Sequence, residues 1–160
     1  MANTEQSAED RSAAGSDGSS QLHRERLYRA VTSVTREPDT AIEAVDMAMA
    51  RAAERWDVLG ESDNPSGWVY RAALRRSRPL LRKRRRSQTA GLGTTTLPDP
   101  DVNAAVASLP YRLRVVIVAR FYLDWSAQQI AVALRLPERI VNGRLRRALR
   151  RIERSLGGSS

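Results

Sequence analysis

Between Glu138 and Ile152, arginines and apolar residues are interleaved at a spacing that a helix sorts into two faces. On a 3.6-residue period Val141, Leu145, Ala148, Leu149 and Ile152 share one side. Arg139, Gly143, Arg146, Arg147 and Arg150 take the other, with Asn142 and Arg144 on the flanks. Such a helix draws its stability from a partner that covers the apolar stripe. The partner lies directly upstream. Trp125 precedes Ser126, and Gln129 follows three residues later, the spacing of a capping box. Ile130, Ala131 and Leu134 give that helix a buried side, and Arg135-Leu136-Pro137 is the turn, with Pro137 suited to the first position of the next helix. Two helices joined this closely, the second presenting hydrogen-bond donors outward, form a helix-turn-helix that can lay its second helix in a DNA major groove. Arginine bridges O6 and N7 of guanine, and asparagine bridges N6 and N7 of adenine. Gly143 costs a helix roughly 1 kcal/mol relative to alanine, a loss that makes sense where the backbone must approach DNA. The competing reading is a helical hairpin whose arginine face meets only water.

The same period extends through most of the chain, and the fold class it predicts is all-α. Leu27, Ala30, Val31 and Val34, with Leu22 before them, mark a helix ending near Arg36, ahead of Pro38. Asp39 reads as the N-cap of a second helix in which Ile42, Val45, Met49, Ala52, Ala53 and Trp56 recur at three- and four-residue spacing. The turn-forming residues of 60–67 precede a third helix, opened by Trp68, Val69, Ala72 and Ala73, that becomes strongly basic through Arg86. Pro79 should kink or restart it. Residues 87–103 read as a linker, Ala104–Leu109 as a short helix, and Pro110 as the start of a helix carrying Leu113, Val116, Ile117 and Phe121. The organisation expected is therefore a disordered tail over 1–20, a helical domain over 21–86, a flexible linker over 87–103 and a helix-turn-helix domain over 104–156.

The charge of +9 points to a polyanionic partner, and its distribution sharpens the point. Residues 71–86 contain no acid, and 111–152 only Asp124 and Glu138, whereas most acids lie before residue 70. One surface for DNA and another for a different partner follows from that asymmetry. With no cysteine, disulfides and thiolate metal sites are excluded. No apolar run approaches the ~20 residues that span a bilayer, and the polar first twenty residues do not resemble a secretory signal. A cytoplasmic protein is expected. The single histidine, His23, has no catalytic partner at useful spacing. Without paired acids or a phosphate-binding glycine loop, neither an enzyme nor a cofactor or small-molecule substrate is expected. Trp56, Trp68 and Trp125 adjoin apolar helix faces, so core packing is the default for each.

Both halves resemble the extracytoplasmic-function sigma factors of bacteria. The most specific stretch runs Ala107-Ser108-Leu109-Pro110-Tyr111-Arg112-Leu113-Arg114-Val115-Val116 and continues through Phe121–Ser126, Ile130-Ala131, Leu136-Pro137-Glu138 and Val141–Ala148. It is similar to the domain that binds the minus-thirty-five promoter element. Asp39–Trp56 and Asn64-Pro65-Ser66-Gly67-Trp68-Val69-Tyr70-Arg71-Ala72-Ala73 resemble the domain that grips the polymerase clamp and opens the minus-ten element.

The resemblance implies promoter DNA and core RNA polymerase (its β′ clamp and β flap) as partners, with an anti-sigma factor as a further one. It places Glu43, Val45, Asp46, Met49 and Arg51 against the β′ subunit. It places Asn64 in a loop that holds a flipped promoter base, and Arg71, Arg75, Arg76 and Arg82 on the promoter backbone. Four departures from the family pattern stand out: Asp46-Met47 in place of Gln-Glu, Arg75 and Pro79 in place of Asn and Asp, and Arg135 in place of Gly. The first three motivate an alternative, a stand-alone helix-turn-helix regulator that no longer engages polymerase.

Overall fold

A computed structural model describes residues 23–62, 64–87 and 99–158. The expected tail and most of the expected linker lie outside them. Among the described residues all regular structure is helical: α1 over 23–35, α2 Pro38–Glu54, α3 Trp56–Leu59, α4 Pro65–Ser87, α5 Pro100–Ser108, α6 Tyr111–Phe121, α7 Ala127–Leu134 and α8 Glu138–Gly157.

Local chemistry sets most of these boundaries. α1 stops at Arg36, whose φ of 61° turns the chain out of the helix. The N-cap of α2 is Glu37 rather than Asp39, because Pro38 already occupies the first helical position. Glu37 accepts a hydrogen bond from the Thr40 hydroxyl at 3.1 Å, and Asp39 sits in the first turn. α4 runs unbroken through Pro79. Both Pro79 and Arg75, whose carbonyl loses its intrahelical donor there, are exposed, so water can take the freed acceptor. α5 begins four residues earlier than the sequence suggests. The Asp99 carboxylate accepts the backbone N–H groups of Asp101 and Val102, and Pro100 fills the first turn, so Asp99-Pro100 is a helix start.

The capping box of α7 is complete: the Ser126 hydroxyl accepts the Gln129 N–H at 3.1 Å and Gln129 Oε1 accepts the Ser126 N–H at 2.8 Å. α7 ends on Arg135 at φ 53°, ψ 48°, the left-handed conformation that the turn demands.

The core is one continuous apolar cluster. Leu27, Val31 and Val34 of α1, Ala41, Val45 and Ala48 of α2 and Val69, Tyr70 and Ala73 of α4 fill its N-terminal half. Val116 of α6, Ile130 of α7 and Val141 and Ala148 of α8 fill the other. Several expected core residues stand outside it: Ile42 is 48% exposed, Trp56 58%, Phe121 63% and Leu149 39%, and Ala53 is exposed as well. Trp56 begins the four-residue α3 after α2 has ended, so it has left the face that the α2 period assigned to it.

The two halves meet where the start of α4 lies against α7. Tyr70, fully buried, donates its hydroxyl to the Val115 carbonyl at 3.0 Å and packs edge-to-face on Trp125 with ring centroids 5.5 Å apart. Arg78 lies over the Tyr111 ring at 5.0 Å, and Arg26 donates to the Tyr122 carbonyl at 3.3 Å.

Candidate nucleic-acid interface

α8 displays the division its sequence requires. Val141 and Ala148 are fully buried, Leu145 and Ile152 are half-buried, and Arg139, Arg146, Arg147 and Arg150 are exposed. Asn142, Gly143 and Arg144 are half-buried along the edge of this stripe. A Cβ placed on Gly143 would meet only the tip of the Arg147 guanidinium, at 3.8 Å. Nothing inside the protein therefore calls for a glycine at this position.

Burial, together with the nearby Arg112 and Arg147, lowers the Arg144 pKa from the usual arginine value. Arg112 of α6 thus adds to the positive field beside α8. Sequence spacing gave no sign of this, because only the packing of α6 on α8 brings the two arginines together.

A second basic surface lies between α2 and α4. A groove of about 390 Å³ is lined by Arg51, Trp68, Arg71, Arg75, Arg76 and Pro79, among others. It gathers three of the arginines expected on promoter DNA. It also holds Arg51, which the resemblance assigned to polymerase, because Arg51 leaves α2 on the side that faces α4. Arg82 is exposed farther along α4. Arg84, two residues on, turns instead to Glu37 at 3.2 Å and Asp39 at 3.4 Å, tying α4 to the start of α2.

The remaining expected residues separate by environment. Glu43 and Asp46 are exposed on α2, but Asp46 accepts a hydrogen bond from the Tyr28 hydroxyl and lies 3.7 Å from Arg24. Met49 is half-buried and lines an apolar pocket with Leu27, Trp56 and Val69. Val45 is fully buried among α1, α2 and α4 and has no surface to offer a partner; its place in the expected polymerase contact is a correction, since the α2 period puts it on the core side. Asn64 accepts the Gly67 N–H on Oδ1 at 2.8 Å, the bond that an N-cap makes at the start of α4. Its Nδ2 is buried without a hydrogen-bond partner.

Among the described residues no group of His, Cys, Asp and Glu is placed to hold a metal ion, and no helix is long and apolar enough to cross a membrane.

A helix-turn-helix carrying an arginine-faced second helix, attached to a second basic helical unit, is the architecture of a DNA-binding protein. Comparison with known proteins makes the class specific. Residues 101–152 match the family described as Sigma-70, region 4. The chain is 25% identical over 137 residues to the RNA polymerase sigma factor SigV of Bacillus subtilis, covering 80% of this chain and 82% of that protein. It is 29% identical over 153 residues to the ECF RNA polymerase sigma factor SigL of Mycobacterium tuberculosis, covering 84% of each. Its fold matches the sigma factor RpoE of Bartonella quintana, solved with the anti-sigma factor NepR, at a TM-score of 0.70 and 18% identity, over 88% of this chain and 96% of that one. Residues 101–152 are a sigma-70 region 4 domain, and over most of its length the chain is homologous to the sigma factors SigV and SigL.

Proposed function

We propose that the chain is an alternative sigma factor that binds core RNA polymerase and directs it to a specific set of promoters, with α8 reading the minus-thirty-five element. The observation that carries this reading is α8 itself: a helix fixed by Val141 and Ala148, with exposed arginines and an unfilled glycine on the outer side, inside the segment that matches Sigma-70, region 4. Arg139, Arg146, Arg147 and Arg150 are the residues for base edges and phosphates, with Asn142 and Arg144 at the flank. In the first half, the α2–α4 groove takes the promoter backbone through Arg51, Arg71, Arg75 and Arg76, and Asn64 contacts the flipped base. Glu43 and Asp46 remain the polymerase-facing acids. The protein does no chemistry of its own and works in the cytoplasm. An anti-sigma factor, the partner named for RpoE of Bartonella quintana, is a partner class for this chain as well.

The test is a pull-down with core polymerase, followed by binding to promoter DNA across a salt series. The reading expects retention on core and an affinity that falls steeply with salt as phosphate counterions are released. Arg146→Ala should relax sequence preference, at roughly 1–3 kcal/mol for a lost base contact. Failure to retain core polymerase, with specific DNA binding intact, would leave the stand-alone regulator.

A further inference from the structure

Where the end of α1 comes together with α4 and α6, arginines gather around buried donors that the protein does not pair. Arg114 of α6 is half-buried. Its Nη1 donates to the Ala107 carbonyl at 3.2 Å, but its Nε is buried with no hydrogen-bond partner. Arg36, the left-handed residue that ends α1, has its Nε buried in the same condition. Arg85 of α4 is exposed beside them. Burial lowers the Arg114 pKa, the charge of Arg36 lowers it further, and Arg85 adds to the effect against an opposing contribution from Tyr111. The Tyr111 hydroxyl, near Ser77 and Arg78, is buried too and makes no hydrogen bond of normal geometry.

The carboxylates nearest in the chain are engaged elsewhere. Glu37, which follows Arg36, is bound to Arg84 at 3.2 Å and to the Thr40 hydroxyl at 3.1 Å, and Asp39 is held by Arg84 at 3.4 Å. Residues 87–98, which follow α4, contain no acid. Polar groups shut inside a fold are almost always paired by protein, water or an ion. Water would give the two Nε groups an acceptor but would leave the arginines repelling one another. An anion relieves both the missing acceptor and the repulsion.

The donors also select the chemistry. Guanidinium forks match the paired oxygens of an oxyanion, and three cations with a phenolic hydroxyl around one point suit the doubly charged phosphate better than a carboxylate. We propose that the end of α1, the C-terminal part of α4 and the start of α6 form a binding site for a phosphate group, held by Arg36, Arg85 and Arg114 with Tyr111 donating its hydroxyl. None of these residues lies on the outer face of α8 or lines the α2–α4 groove, so the site is separate from both DNA surfaces. The phosphate belongs either to a free phosphate compound or to a nucleic-acid backbone, and the test separates the two.

Inorganic phosphate titrated into the full chain, with chloride holding the ionic strength constant, should raise the thermal midpoint saturably, because a ligand that binds only the folded state stabilises it. Calorimetry should give one site per chain. Arg36→Gln and Arg85→Gln should each weaken that binding by about tenfold, the loss of one charge-assisted hydrogen bond. Arg55→Gln removes the same charge from an exposed position at the opposite end of α2 and should leave phosphate binding unchanged. Arg85 is exposed, so its variant keeps the test decisive even if Arg36→Gln fails to fold.

A random-sequence DNA duplex then identifies the source. Duplex affinity that falls equally in the three variants assigns the site to a free phosphate compound, and a fall confined to Arg36→Gln and Arg85→Gln assigns it to the DNA backbone. No saturable response to inorganic phosphate overturns the site and leaves buried water as the acceptor for both Nε groups. Phosphate binding weakened as much by Arg55→Gln as by the other two also overturns it, because the ion would then follow overall charge alone. No polymerase enters these measurements, so their outcome is independent of the sigma reading.

Discussion

At the residue scale the most informative positions are those where backbone and side chain make opposite demands. Arg135 holds the turn of the helix-turn-helix at a positive φ, where an L-residue with a Cβ is disfavoured by roughly 1–2 kcal/mol. Arg135→Gly should therefore raise stability, by about 0.5–1 kcal/mol after the greater chain entropy of glycine is counted, as read from the urea unfolding midpoint. Gly143 is the reverse case. Gly143→Ala should stabilise α8 by about 1 kcal/mol, since its Cβ meets nothing closer than 3.8 Å. It should nonetheless weaken binding to the minus-thirty-five element, because in this reading only DNA occupies the space it would fill. Asn64 has two jobs that substitution can separate. Asn64→Ser keeps the helix-capping oxygen and should leave stability unchanged, whereas Asn64→Ala should cost about 1 kcal/mol. Both remove the amide and should depress transcription alike. The identity of these residues was visible in the sequence. That Asn64 caps α4 with its other amide atom sealed, and that Arg51 shares a groove with Arg71, was not. Each depends on which neighbour the helix meets, and a one-dimensional period carries no such information.

At the scale of elements, the sequence was most legible where a helix is specified by its own ends. The capping box at Ser126 and Gln129 and the turn at Arg135 stand as the spacing predicts, and so do the two faces of α8 apart from Leu149, while Pro137 is the N-cap of α8 rather than its first residue. Ser126→Ala should cost about 1 kcal/mol and lower the thermal midpoint without altering the α8 surface. Legibility failed where two start signals compete. Glu37 and Asp39 both suit an N-cap, and Pro38 decides between them by claiming the first helical position. Pro79 was expected to kink or restart α4, and the helix runs on through it. It is tolerated because the carbonyl it deprives belongs to exposed Arg75, so the loss is met by water. Leu149 fits the apolar period of α8 but projects beyond the neighbouring helices, since α5, α6 and α7 cover only part of a twenty-residue helix.

At the scale of the whole molecule, the joint between the halves ties stability to pH. Burial pushes the Tyr70 hydroxyl well above the usual tyrosine range, and burial raises Tyr111 as well. A folded-state value raised in this way contributes stability that is complete below about pH 10, where an unfolded tyrosine keeps its proton. That contribution is lost as pH rises through and beyond that point. The urea midpoint should accordingly fall above pH 10, and Tyr70→Phe should flatten that fall while removing the hydrogen bond to Val115. Charge asymmetry in the sequence pointed to one surface for DNA and another for a different partner; the structure shows two basic surfaces, the outer face of α8 and the α2–α4 groove. Only the assembled molecule reveals that α7 lies over the start of α4. The central claim is that these surfaces serve promoter-directed transcription. The most direct measurement is run-off transcription on a library of genomic promoter fragments, with core RNA polymerase and this chain as the only added specificity factor. The account predicts discrete transcripts from a small set of fragments, absent with core polymerase alone and abolished when the α8 arginines Arg146 and Arg150 are both replaced by alanine. Sequence-specific binding of the chain to those fragments with no transcript above the core-only level would contradict it.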